Sequence, residues 1–121
     1  MMETNDERII NLTRNDVVII GNYHQVVAKI PRAPRGKEAT IRFDREIVRL
    51  CRGAIPIIRI PPEGVTIQGL PDPEPGVLYI TSSVIAAHAQ RPDVVSPDTA
   101  PGGAVKLGGN LVGVKGLQCW M

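Results

Sequence analysis

The sequence predicts an α+β fold, mostly antiparallel β, with one short helix over about residues 83–90 that follows a central strand. Three observations carry this. The apolar residues are chiefly Val, Ile, Leu and Ala, and they are interrupted by 11 Pro and 12 Gly, the composition of short strands joined by tight turns. Val77-Leu78-Tyr79-Ile80 is a nearly unbroken apolar run, as expected of a strand covered on both faces. Directly after it, Thr81-Ser82-Ser83 leads into Val84-Ile85-Ala86-Ala87-His88-Ala89-Gln90, preferred capping residues followed by helix formers.

At 121 residues the chain reads as a frayed N-terminus, residues 1–7, and one globular domain, residues 8–121. Residues 8–12 form a first strand, and 17–20 and 24–30 pair as a hairpin around Gly21-Asn22. Pro31 to Lys37 holds two prolines, a glycine and three basic side chains, so it is a basic loop. Residues 39–43 alternate as a strand. Residues 45–52 satisfy a helical and an extended pattern equally, because Ile47, Val48, Leu50 and Cys51 suit either. A strand over 55–60 ends in the Pro61-Pro62-Glu63-Gly64 turn, and 65–69 is extended. Leu70 to Gly76 is a rigid acidic connector with three alternating prolines. Arg91-Pro92 closes the helix, residues 93–103 read as a Pro-rich loop, and 104–107 pairs with 111–117 around Gly108-Gly109-Asn110.

Composition narrows the function classes. Phe43, Tyr23, Tyr79 and Trp120 are the only aromatic residues apart from the histidines, too few to stack the bases of a single strand. Cys51 and Cys119 form no CxxC pair, and the carboxylates show no metal-ligand spacing, so neither a metal nor another cofactor is expected. The polar, charged start is unlike a secretory leader, and no apolar run reaches the length of a membrane span. The expected setting is cytoplasmic, with reduced thiols. The net charge of +2 is unevenly spread: Lys29 to Arg59 holds nine basic residues against Glu38, Asp44 and Glu46, a net of +6. Such a surface attracts phosphate, although solvated strand faces account for the same charges.

The strand–Ser–helix junction is the strongest candidate site. Backbone N–H groups without partners and the hydroxyls of Thr81, Ser82 and Ser83 together offer donors to an anion. Arg91 follows one short helix later, and Asp93, Ser96, Asp98 and Thr99 lie in the loop beyond it. Arg32 and Arg35 in the basic loop would close the site, from the same or a neighbouring subunit. An ordinary N-cap and a surface loop explain these residues without a ligand. His24 and His88 are the only histidines and the acid–base candidates if the chain is an enzyme. With edges to cover and few aromatic core residues, homo-oligomerisation is expected.

Three stretches carry a resemblance: Ile9-Ile10-Asn11-Leu12-Thr13; Gly69-Leu70-Pro71-Asp72-Pro73-Glu74-Pro75-Gly76 running on to Tyr79-Ile80-Thr81-Ser82-Ser83-Val84-Ile85-Ala86; and Arg91-Pro92-Asp93-Val94-Val95-Ser96-Pro97-Asp98-Thr99 together with residues 110–117. Together they resemble a family of small proteins carried by phages and bacterial mobile elements. Those proteins start with Asn-Leu-Thr-Pro-His, place a Gly-Leu-Pro-acidic-Pro segment before Tyr-Ile-Val-Ser, and continue with an Arg-x-Asp-Val loop and Pro-Asp-Thr. Here Arg14-Asn15 replaces Pro-His, so any role of that histidine does not carry over. The resemblance implies an accessory, anti-defence protein of a phage. Combined with the junction, it points to sequestration of a small anionic, nucleotide-derived ligand without chemistry. A phosphodiesterase-like enzyme and a direct protein inhibitor of a host defence protein are the alternatives. Nucleic acid and membrane are disfavoured as partners.

Overall fold

The β-branched runs of the chain form twelve short strands, the Ala-rich run after Ser82 one helix; the computed structural model describes residues 8–121. The expected frayed end, residues 1–7, lies outside the described residues. Strands occupy 46% of the described residues and helix, the 3-10 turn included, 9%, so the β-rich α+β class holds.

The first sheet is built on the apolar run after the acidic connector. Strand β1 (Arg8–Asn11) pairs in parallel with β8 (Val77–Ile80), which pairs in parallel with β9 (Val94–Pro97), which in turn pairs antiparallel with β12 (Leu117–Cys119). Helix α1 (Ser83–Ala89) is the crossover between β8 and β9, since neighbouring parallel strands cannot be joined by a tight turn. The Ser82 hydroxyl accepts from Ile85 N–H at 3.3 Å, and Gln90 ends the helix in the left-handed conformation. The helix therefore has caps at both ends. It buries Ile85 and Ala86 and packs chiefly on β9.

The second sheet runs β10 (Ala104–Leu107), β11 (Asn110–Val114), β2 (Val17–Ile20), β3 (Val26–Ile30). β2 and β3 form the expected hairpin, and β10 and β11 turn through Gly108 and Gly109, both at positive φ, as a two-residue turn of this kind requires. β11 joins β2 in parallel at Val114 and Ile19. A Cβ on Gly113 would stand 2.6 Å from Ile20 Cδ1 and 2.8 Å from the Val18 carbonyl, so the two strands approach this closely only around a glycine.

Two smaller ladders complete the fold: β4 (Thr40–Phe43) with β7 (Val65–Gln68), and β5 (Glu46–Cys51) with β6 (Ile55–Arg59), with a 3-10 turn at Pro62–Gly64. The ambiguous segment 45–52 is therefore a strand, and it has no buried face.

The core has two parts, one on each face of β8. Ile80 and Val95 of the first sheet meet Val17 and Val114 of the second, with Leu78 packed against them. On the opposite face Val77 and Tyr79 pack with Leu12, Ile10, Ala39 and Leu70. β8 is thus central and covered on both sides, as its sequence requires.

Two expectations need correction. Residues 93–103 are not all loop, because Val94–Pro97 is a strand with three buried residues. Pro97 ends it, where the missing N–H costs no ladder bond. The last hairpin strand also stops at Val114 rather than 117; the chain turns at Lys115 and Gly116, and Leu117–Cys119 joins the first sheet instead. Among the described residues no helix is long and apolar enough to cross a membrane.

Ile80 is fully buried between the sheets. Ile80→Ala should lower unfolding free energy by about 2–5 kcal/mol, whereas Leu107→Ala, at an exposed position, should change it by less than about 0.5 kcal/mol. Urea titrations of both variants check this.

Candidate functional site

Three parallel strands end on the same side of the molecule. β1 runs out at Asn11, β8 at Ile80 and β9 at Pro97, and the residues that follow them reach one cleft between the two four-stranded sheets. Thr13, Asn15 and Asp16 come from the loop after β1; Thr81, Ser82 and Ser83 follow β8; Thr99 follows β9. Val17, Val18, Leu111 and Val112 supply an apolar floor. The cleft measures about 530 Å³, within the range of small-molecule sites.

Asn11 sets the shape of its rim. The side chain is buried, its amide donates to the Asn15 carbonyl at 2.9 Å and the Ile30 carbonyl at 3.1 Å, and its Oδ1 accepts from Thr13 N–H at 2.9 Å and the Thr13 hydroxyl at 2.6 Å. One buried amide thus holds the β1–β2 loop in a single conformation. Asn15 is presented to the cleft by this loop.

Among the described residues the cleft lining contains no Lys or Arg, and Asp16 is its only carboxylate. Asp16 accepts from Arg32 N–H at 2.8 Å and lies 3.6 Å from Lys29 Nζ. Glu38 lies beside the same loop. Its carboxyl is held below the ordinary range first by its own backbone N–H, then by that of Gly36 and by the charges of Arg14 and Arg32, against an opposing effect of burial. Arg14, Lys29 and Arg32 therefore form a basic margin, offset in part by Asp16 and Glu38.

The predicted site is only partly assembled. Thr81, Ser82, Ser83 and Thr99 share the cleft, and Arg32 adjoins it through its backbone N–H on Asp16, with its guanidinium 3.8 Å from Glu38. The seven-residue helix has a weak dipole, so the hydroxyls are the chief donors. Arg35 lines a separate shallow hollow with Arg32, Ala33 and Pro34. Arg91 and Asp93 are at the far end of the helix and do not line the cleft. Arg91 grips Asp93 with two bonds, Nε to Oδ1 at 2.9 Å and Nη2 to Oδ2 at 2.6 Å, and donates through Nη1 to the Pro71 carbonyl at 3.0 Å. That clamp ties the loop before β9 to the acidic connector. Ser96 is buried, and its hydroxyl accepts from Trp120 Nε1 at 2.8 Å. Asp98 caps the next turn, accepting from Ala100 N–H at 3.3 Å. These four residues have structural partners instead of facing a ligand.

Neither histidine lines the cleft. His88 donates through Nδ1 to the Val84 carbonyl at 2.9 Å, and its ring meets Phe43 edge-on with centroids 5.4 Å apart. His24 occupies a turn at positive φ. Cys51 and Cys119 are free and exposed. Thr13, Asn15, Asp16 and the β11 valines were not legible as site residues, because only the pairing of distant strands brings them to Thr81. No known protein family, characterised protein or solved structure matches the chain.

The Arg91 hydrogen bonds hold the Asp93 carboxyl below its ordinary range. The folded-state pKa lies under the unfolded value of about 3.9, so the clamp stabilises fully above that value. Its contribution disappears as pH falls through the folded-state pKa. Asp93→Asn should cost about 2 kcal/mol at pH 7, and the gap to the native chain should close as acid protonates Asp93, measured by urea titration across that window.

Proposed function

We propose that the protein binds and sequesters a small nucleotide-derived ligand in the cleft between its two main sheets. The observation that carries this reading is the convergence of the carboxyl ends of β1, β8 and β9 on one polar-rimmed, apolar-floored cleft. Loops at the carboxyl ends of parallel strands are where open α/β sheets place ligands. A base would lie on Val18, Leu111 and Val112. Sugar hydroxyls would exchange hydrogen bonds with Ser82, Ser83, Thr99, Thr13 and Asp16. Phosphate would reach the basic margin of Arg14, Lys29 and Arg32, where each charge-assisted bond contributes roughly 1.5–3 kcal/mol.

Binding without chemistry fits the lining better than catalysis does. Asp16 is the only ionisable side chain among the described lining residues, and general acid–base cleavage calls for a second group within reach. The phage anti-defence setting implied by the resemblance gives such a binder a role: it would remove a nucleotide signal in the host cytoplasm, as a homo-oligomer.

Calorimetry and thermal shift against cyclic nucleotides and ADP-ribose derivatives test the reading, together with mass spectrometry of small molecules released on denaturation. A binding ligand should be recovered intact after long incubation. Ser82→Ala with Ser83→Ala should weaken its binding at least tenfold, with a capping loss of about 1 kcal/mol in stability. Leu111→Trp, which fills the cleft, should abolish it. Absence of both a released molecule and any stabilisation would remove the proposal.

A further inference from the structure

From Asp44 to Ile60 every residue is exposed, although the segment includes Ile47, Val48, Leu50, Ile55, Ile57, Ile58 and Ile60. It is the β5–β6 hairpin, and among the described residues neither strand packs substantially on any other element. A two-stranded ribbon is marginal in water unless a further layer covers an apolar face. This ribbon has such a face. Ile47 lies opposite Ile58 and Leu50 opposite Pro56, and the ladder shifts register between Ile47 and Arg49. Pleat alternation with that one-residue bulge puts these four side chains on the same side, in line with Ile60. The other side carries Arg49 and the Glu46–Arg59 pair, bonded at 2.6 and 2.8 Å. One face is thus free of charge and the other holds the ions.

We infer that this apolar face is a self-association surface, covered by the same face of a second copy with the two arms antiparallel. Three features select that occupant. The face carries no charged or hydrogen-bonding side chain, so its complement is another apolar face, and like charges stay on the outer sides when two arms meet. The stripe continues at its base into a hollow lined by Phe43, Ile60, Pro61, Val65, Ile67 and His88. An antiparallel partner's Leu50 and Pro56 would fill that hollow while Ile47 and Ile58 meet across the two-fold axis, which makes the contact reciprocal as an isologous interface requires. The area also suffices. At the chain's mean exposure, Asp44 to Ile60 amounts to roughly 1,200 Å² over its two sides, so two copies meeting through one side each bury roughly 1,200 Å² in total, the lower end of the range for a stable interface. The inference names the surface behind the oligomer proposed above and does not depend on the cleft having a ligand.

Sedimentation of the full chain tests it. The native protein should run at twice its 13.1 kDa at micromolar concentration, and Leu50→Glu with Ile58→Glu should run as a monomer with an unchanged circular dichroism spectrum. A native monomer at tens of micromolar, or a dimer that survives the double substitution, would overturn the inference. Should that variant unfold, cross-linking decides. With Cys51 and Cys119 changed to Ser, Leu50→Cys with Ile60→Cys should give a covalent dimer on oxidation. Ile60 is four residues beyond Leu50's cross-strand partner Pro56, about 13 Å along the ribbon. That is too far for a disulfide within one chain, so failure to form the covalent dimer counts against the arrangement.

Discussion

The contact of Ile80 and Val95 with Val17 and Val114 holds the molecule together. Each pair comes from neighbouring strands of a different four-stranded sheet, so these four side chains join the sheets face to face. They are β-branched and have few rotamers to lose, which suits a core with few aromatic rings. The cleft follows from the same contact. Val17 and Val114 belong both to the cluster and to the cleft floor, and Thr81 enters the cleft because it follows Ile80. Loss of the inter-sheet packing would separate Thr81 to Ser83 from Asn15 and Asp16.

Local chemistry made much of the fold legible. The apolar run 77–80, the Ser82 cap, the helix stop before Pro92 and the paired glycines at 108 and 109 each specify their own geometry within a few residues. Parallel pairing was hidden because it depends on partners far apart in sequence: Ile9 aligns with Leu78, and Val114 with Ile19. Strand β9 was concealed by the prolines on either side of Val94-Val95-Ser96, and β12 by its short span. The segment 45–52 was ambiguous for a physical reason. It is apolar enough for a core, yet no described residue buries it.

The candidate site was legible in part for the same reasons. Thr81, Ser82 and Ser83 lie at a junction that sequence specifies directly. Arg91 is close to them along the chain, but the helix between them advances about 1.5 Å per residue and carries it to the opposite end, where Asp93 and Pro71 satisfy it. Two of the three stretches singled out in the sequence, Gly69 to Gly76 and Arg91 to Thr99, therefore meet through a structural clamp. The third places Asn11 and Thr13 at the cleft margin. The chain thus divides into a body, whose sheets shape the cleft, and an arm whose apolar face is turned outward.

Amide hydrogen exchange tests directly whether one cluster holds both sheets. Thr81 N–H donates to the Val95 carbonyl at 2.9 Å and Leu12 N–H to the Ile80 carbonyl at 2.8 Å, at the centre of the first sheet. The amides of these strands and of β2 and β11 in the second sheet should exchange only through global unfolding, with one shared free energy that falls equally in both sheets in Ile80→Ala. Two different opening free energies, with the second sheet unaffected by that substitution, would contradict the account.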